Sequence, residues 1–261
     1  MKESDLDWLR RFRASWPNQN VSACKKLDCL KAFFRFALES GWIANNPAAK
    51  LKPPKITERQ TMPFTKEEVA LIFAACTKYH DKINAVRLRA LLLMLRYSGL
   101  RIRDVVTLSR DRISGDKLFL YAGKSGTPVW CPLPPATIAA LDLIPLKGDY
   151  FFWTGTSKPK SAVGNWQRTL KRVFNLAGVP TGHAHRFRHT FAVELLQAGV
   201  PVERVAVMLG HRSVKVTEKY YSAWNRTRQE QLEADVRQTW VDAPTEMKGT
   251  QQVHEKSGYV N

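Results

Sequence analysis

Leucines recur at intervals of three and four residues between Ala85 and Tyr97, and this is the clearest periodic pattern in the chain. The positions are Leu88, Leu91, Leu92 and Leu95. This spacing puts the leucines on one side of a helix, and so many apolar side chains together indicate that the helix is buried. Gly99 follows, and glycine is typical of a helix end. The pattern predicts a globular domain built around a central helix.

Further segments show helical or strand periodicity. Helical patterns cover residues 22–40, 187–196, 202–209 and 214 to about 236, and glycine follows the first three, at Gly41, Gly199 and Gly210. Residues 117–133 instead alternate apolar with other side chains on either side of a turn at Gly123–Gly126, which predicts a β-hairpin. We therefore expect a mainly α fold with a small antiparallel β-sheet, an α+β class.

Prolines and charged residues divide the chain in two. Lys52-Pro53-Pro54-Lys55 breaks regular structure, and no apolar pattern resumes before Phe64, so residues 52–63 are predicted to be a linker. The segment from Thr65 to Glu68 has the sequence of a capping box, which starts a helix. The predicted parts are a short helical domain over 1–51, a larger domain over 64–240 and a polar, disordered tail over 241–261.

The charge of the chain favours a polyanionic partner. Lys and Arg number 41 against 23 Asp and Glu, which gives a net charge of +18 and a pI of about 10.0. Nucleic acid is the commonest partner of so basic a protein. A soluble basic protein without such a partner, or a ribosome-associated one, shares the same composition.

Several other classes are disfavoured. The four cysteines have no CxxC spacing, which argues against zinc and redox sites and fits reduced thiols in the cytosol. No apolar run reaches the roughly 18 residues of a membrane span, and no signal-peptide pattern is present. The sequence has neither a GxxxxGK[ST] loop nor carboxylates at two-metal spacing. We expect a cytoplasmic protein with no metal, cofactor, small-molecule substrate or membrane partner.

Basic side chains follow structural breaks in three places. Arg101 comes shortly after the helix-ending glycine, and His211 directly follows another. His185 and Arg188 lie three residues apart in His-Arg-Phe-Arg-His-Thr and can share one face of a helix. A guanidinium held rigidly at such a position is suited to grip a phosphate. Each of these residues alone is more often a surface charge or a structural side chain.

Taken in order, these residues resemble the motifs of the tyrosine recombinases, the family that includes phage integrases and Xer-type resolvases. The similar segments are residues 98–108, Gly123-Lys124 in the hairpin, residues 185–190 and residues 209–211. The first segment includes the family's acidic residue, here Asp104, three residues after the arginine. The resemblance covers roughly residues 20–240, because residues 33–47 look like the end of the family's core-binding domain. It implies a shortened, partial core-binding (DNA-binding) domain over 1–51 and a catalytic domain over 64–240.

The resemblance implies site-specific DNA recombination or integration, in which strands are cut and rejoined through a 3′-phosphotyrosyl intermediate. Such chemistry needs positive charge around the phosphate, a proton acceptor for the nucleophile and a proton donor for the leaving oxygen. Arg101 and Arg188 are predicted to hold the phosphate and His211 to donate a hydrogen bond to it. His185 is the predicted general base and Lys124 the predicted general acid.

Two adjacent tyrosines compete for the role of nucleophile. Tyr220 is the ninth residue after His211, the commonest spacing in the family. The stretch Tyr221-Ser-Ala-Trp224, however, is similar to the downstream half of the family motif when it starts from Tyr221. Adjacent residues on a helix do not face the same cleft, so at most one of the two is the nucleophile. The downstream resemblance implies Tyr221, with Tyr220 as the alternative.

Double-stranded DNA is the implied partner, with a tetramer assembled on paired DNA sites. Two alternatives stay open at this point. One is a type IB topoisomerase, which uses a similar pocket to relax supercoils. The other is a truncated or degenerate DNA-binding remnant without catalysis.

Overall fold

The chain forms two compact units, residues 1–60 and 61–261. The computed structural model describes residues 4–17, 21–54, 61–78, 82–145, 148–221 and 232–238. The division between the units falls inside the predicted linker, of which residues 55–60 lie outside the described part. The linker and domain bounds remain predictions.

Two helices make up the described part of the first unit. They are α1 (Ser4–Ala14) and α2 (Val21–Glu39). A small core of Leu9, Leu27, Ala48 and Leu51 lies between them and the segment that follows α2. Gly41, in the left-handed region with φ of +72°, follows α2 and matches the helix end predicted there.

Helices also dominate the second unit. They are α3 (Lys66–Thr77), α4 (Lys82–Ser98), α5 (Ile102–Val106), α6 (Pro135–Asp142), α7 (Pro159–Leu176), α8 (Ala184–Gln197), α9 (Val202–Met208) and α10 (Val214–Tyr221), with a 3₁₀ turn at Arg110–Arg112. The four leucines that define the predicted pattern, at positions 88, 91, 92 and 95, are fully buried, and α4 packs against α3, α5, α6 and α8. The predicted central helix is therefore confirmed.

The sheet has three antiparallel strands in the order β1 (Ile113–Ser114), β2 (Lys117–Tyr121) and β3 (Pro128–Pro132). Leu118 pairs with Cys131 and Leu120 with Val129, and all four side chains point into the core. The hairpin predicted over 117–133 and the α+β class are confirmed. The two-residue strand β1 was not predicted, because it is too short to show an alternating pattern.

The start of the second unit is fastened to α8. The Thr65 side chain and Glu68 form the predicted capping box of α3. The buried guanidinium of Arg186 donates hydrogen bonds to the carbonyls of Met62 and Pro63 and pairs with Glu68 at 2.7 Å. The backbone N–H of Phe64 donates to Thr190 Oγ1 at 2.8 Å. Residues 62–68 thus lie against the helix that carries His185 and Arg188.

Some predicted elements differ from the structure or lie outside it. Helix α8 begins at Ala184, earlier than predicted, so His185 lies in its first turn. The helix predicted from 214 to about 236 is described as α10 and as a further helical stretch over 232–238, and residues 222–231 lie outside the described residues. The tail predicted over 241–261 also lies outside them. Within the described part of the chain, no helix is both long and apolar enough to cross a bilayer.

Candidate active site

Two glycine turns bring the site together. Gly99 and Gly210 have φ of +62° and +61°, the left-handed region that favours glycine. Neither turn has room for a side chain, because a Cβ on Gly99 would collide with the Phe191 ring and one on Gly210 would lie 2.8 Å from Val129. The turns end α4 and α9 and place Arg101 and His211 beside α8.

Arg188 joins these two turns from α8. It is only 2% exposed. Its Nη1 donates a hydrogen bond to the Gly99 carbonyl at 2.8 Å, and its Nη2 donates to the Leu209 carbonyl at 2.6 Å. Burial and the neighbouring charge of Arg101 lower its pKa to about 10, so Arg188 keeps its charge at neutral pH. These hydrogen bonds hold the Arg188 guanidinium in one orientation.

His211 lies between Arg188 and α10. Its Nε2 is 2.8 Å from Arg188 Nη2, and its Nδ1 is 2.8 Å from Oγ1 of the buried Thr217. Arginine has no acceptor, so Nε2 accepts and Nδ1 carries the hydrogen that is donated to Thr217. Burial, with the charges of Arg188, Arg101 and Lys124, lowers the pKa of His211 to about 4. The ring is neutral at pH 7.

Arg101 gives the pocket an unsatisfied donor. Its Nη1 is buried and has no hydrogen-bond partner among the described residues. The nearby Asp104 is buried as well, and its Oδ1 accepts a hydrogen bond from the backbone N–H of Gly123 at 3.0 Å. With Arg188 also present, positive charge exceeds negative charge in this pocket, as anion binding requires.

Lys124 lies on the exposed turn of the hairpin, and hydrogen bonds hold this turn beside the motif at residues 209–211. Ser125 Oγ donates to the Gly210 carbonyl at 2.8 Å, and Arg212 Nε donates to the Ser125 carbonyl at 2.8 Å. These two hydrogen bonds tie the turn that carries Lys124 to residues 210–212.

The two tyrosines occupy different environments on α10. Tyr221 is 3% exposed, and its ring centroid lies 5.4 Å from that of His189. Burial raises the pKa of Tyr221 to about 12, against the opposing effect of Arg188. Tyr220 is 50% exposed. The structure brings Tyr221 to the predicted site residues and leaves Tyr220 at the surface.

Two histidines of α8 lie one turn apart in the pocket. The His185 side chain is exposed at one edge, yet loss of solvation, with the neighbouring His189 and Arg188, lowers its pKa to about 4. Its ring packs edge-on against His189 at 4.9 Å. His189 is 6% exposed, and its ring is in contact with the ring of Tyr221. Sequence reasoning did not select it, although it lies within the motif at residues 185–190.

No cluster of three or more His, Cys, Asp or Glu side chains suited to a metal ion occurs among the described residues. The pocket is instead built from arginine, histidine and tyrosine.

Residues 63–227 match the model of the phage integrase family. The chain belongs to this family. The integrase-family chain is 26% identical over 231 residues to tyrosine recombinase XerC of Rickettsia rickettsii (strain Sheila Smith), covering 84% of this chain and 76% of the relative. It is 27% identical over 211 residues to XerC of Chlamydia muridarum (strain MoPn / Nigg), covering 75% and 65%.

Solved structures show the same fold. A lambda integrase tetramer bound to a Holliday junction matches with a TM-score of 0.64 at 20% identity, over 82% of this chain and 65% of the integrase. XerA recombinase matches with a TM-score of 0.54 at 17% identity, over 89% of each chain. A lambda integrase dimer bound to a core site matches with a TM-score of 0.62 at 22% identity, and this chain spans 58% of that integrase's length.

Proposed function

We propose that this integrase-family chain is a site-specific DNA recombinase that cuts and rejoins strands through a 3′-phosphotyrosyl intermediate. The observation that carries the proposal is the placement of the Tyr221 ring beside a pocket formed by Arg101, Arg188 and His211. The relatives named tyrosine recombinases support it. They favour recombination over the topoisomerase and over a binding-only remnant.

Arg101 and Arg188 are the proposed phosphate ligands. Arg101 Nη1 has no hydrogen-bond partner in the described part of the chain, and an anion in the pocket would supply one and would oppose the mutual repulsion of the two guanidinium groups. Negative charge grows on the nonbridging oxygens as a pentacoordinate phosphorus forms, so fixed donors bind the transition state more tightly than the ground state. His211 is held by Thr217 and Arg188 at the rim of the same pocket.

The proposed reaction conserves the energy of the broken bond. The Tyr221 hydroxyl oxygen attacks phosphorus, the bond to the 5′ oxygen breaks, and a 3′-phosphotyrosyl ester forms. Burial raises the pKa of Tyr221 to about 12, so its proton leaves during attack and not before. His185 is the proposed proton acceptor, and Lys124 is the proposed donor to the leaving 5′ oxygen. Attack by another 5′-hydroxyl on the ester reverses these steps and joins a new pair of strands.

Double-stranded DNA is the proposed substrate, and a tetramer on paired sites is the proposed assembly. The net charge of +18 supports the first, and the likeness to a lambda integrase tetramer bound to a Holliday junction supports the second. A protein with this activity works where the DNA is, so we place it in the cytoplasm.

Covalent trapping tests the proposal. Wild type, Tyr221→Phe and Tyr220→Phe are incubated with duplexes nicked near candidate sites, so that the cut strand diffuses away and the ester accumulates. Denaturing electrophoresis should reveal a protein–DNA band in wild type and in Tyr220→Phe, but not in Tyr221→Phe. A band lost only in Tyr220→Phe would assign the nucleophile to the other tyrosine. Salt-sensitive binding without any band in wild type would favour the binding-only remnant.

A further inference from the structure

Two consecutive residues of α8 hold α10 in place. Arg188 contacts His211, which in turn donates to Thr217 in the middle of α10. His189 packs its ring against that of Tyr221, which lies one turn after Thr217 on α10. The nucleophile's ring is therefore positioned by a residue to which neither the motifs nor the charge chemistry above assigns a role.

His189 has a polar atom that the fold does not use. The ring is 6% exposed, and its Nδ1 is buried with no hydrogen-bond partner among the described residues. Leaving a buried nitrogen unpaired costs free energy. Both ring contacts of His189, to His185 and to Tyr221, are contacts that a phenylalanine also makes without that cost. Packing alone thus gives no reason for a histidine at this position.

The unused nitrogen is suited to accept a hydrogen bond. Burial, with the charges of His183 and Arg188, lowers the pKa of His189 to about 4. The imidazole is therefore neutral at pH 7 and one of its nitrogens is an acceptor. The His189 ring contacts the rings of His185 and Tyr221. Of these two neighbours, Tyr221 carries a hydroxyl, and this hydroxyl must be oriented towards phosphorus for attack.

We propose that His189 is a positioning residue, whose Nδ1 accepts a hydrogen bond from the Tyr221 hydroxyl when the tyrosine turns towards a bound phosphate. The inference rests on the proposed function and assigns His189 the orientation of the nucleophile, not the final removal of its proton. It acts through Tyr221, and a hydrogen bond here restricts the hydroxyl to directions that suit attack.

Three substitutions distinguish the contribution of the His189 ring from that of its Nδ1. His189→Phe keeps the ring and removes the acceptor, His189→Ala removes both, and His189→Asn places an amide group near the position of Nδ1. At saturating DNA, we expect single-turnover cleavage by the Phe and Ala variants to fall about 5- to 30-fold, the effect of one hydrogen bond. His189→Asn should recover most of the rate, and DNA affinity should be unchanged in all three.

Unfolding measurements exclude a merely structural role. Because His189→Phe removes an unpaired buried nitrogen, its midpoint of thermal unfolding should equal or exceed that of wild type while its cleavage is slower. Cleavage by His189→Phe at the wild-type rate, no recovery in a folded His189→Asn, or a lower midpoint in His189→Phe would each overturn the inference. If wild type itself forms no covalent band, the proposed function fails first, which is a distinct result.

Discussion

Replacing Arg188 with lysine keeps the charge but removes the planar fork. The guanidinium serves three acceptors at once, the carbonyls of Gly99 and Leu209 and the His211 Nε2, at 2.6 to 2.8 Å. A lysine ammonium is a single point at the end of a flexible chain and does not span both turns. At least one buried acceptor loses its donor, so Arg188→Lys should lower the free energy of unfolding by about 1–3 kcal/mol.

The effect on cleavage should be larger than the effect on folding. Loss of one preorganised donor to a transition state raises the barrier by about 2.7–4 kcal/mol, or about 10²–10³-fold in rate. The assay is formation of the covalent band under single-turnover conditions at saturating DNA, with urea unfolding in parallel. DNA affinity should change little, because the charge is retained.

Arg186→Lys is the matched control. Arg186 is also a buried arginine of α8 that donates to two carbonyls, but those belong to Met62 and Pro63 at the start of the unit. We expect this variant to lose stability and, where folded, to cleave saturating DNA at nearly the wild-type rate. Equal losses of cleavage rate in the two variants, or full activity in Arg188→Lys, would refute the phosphate-binding role of Arg188.

Four further outcomes are expected. Thr217→Val removes the hydroxyl that lies 2.8 Å from the half-buried His211 Nδ1 and should lower the free energy of unfolding by about 1–3 kcal/mol; unchanged stability would mean that this hydrogen bond does not stabilise the fold. Gly210→Ala should destabilise more than Gly178→Ala, because both have positive φ but only at Gly210 does a Cβ meet neighbouring atoms; equal melting temperatures would count against the close approach. The logarithm of DNA affinity should fall linearly with the logarithm of salt concentration in filter-binding titrations, and a flat response would argue against a phosphate-backbone partner. Burial lowers the pKa of His189 and of His211 from 6.5 to about 4. Between these pH values the unfolded chain binds more protons than the folded protein, so the free energy of unfolding should fall as pH drops from 6.5 to 4. Urea unfolding across this range should show a smaller fall in His189→Phe than in wild type.

The sequence was sufficient for the motif-bearing elements because each has a local signature. The leucine spacing of α4, the alternation in the hairpin and the capping box at Thr65 depend on neighbours within a few residues. Glycine identity likewise predicted the turns before Arg101 and His211, since both turns need positive φ. The choice of Tyr221 over Tyr220 came from a family motif, and the structure places the two on different sides of α10.

Long-range partners were beyond reach of the sequence. The three acceptors of Arg188 are 89, 21 and 23 residues away along the chain, and no local pattern pairs them with it. His189 was passed over for a similar reason, because its contact with Tyr221 depends on how α8 and α10 pack. Among the shorter elements, β1 has only two residues, too few for an alternating pattern to appear.

The hydrogen bonds that hold residues 62–64 against α8 determine where a fragment that contains the second unit alone can begin. A fragment beginning at Thr61 retains both carbonyls that accept from Arg186, together with the Phe64 ring that lies under its guanidinium. A fragment beginning at Thr65 has the same catalytic groups but leaves that buried cation with fewer partners and opens a gap beside Phe187. Expression of the second unit alone should therefore start at or before Thr61, and a shorter fragment should give low yields of folded protein.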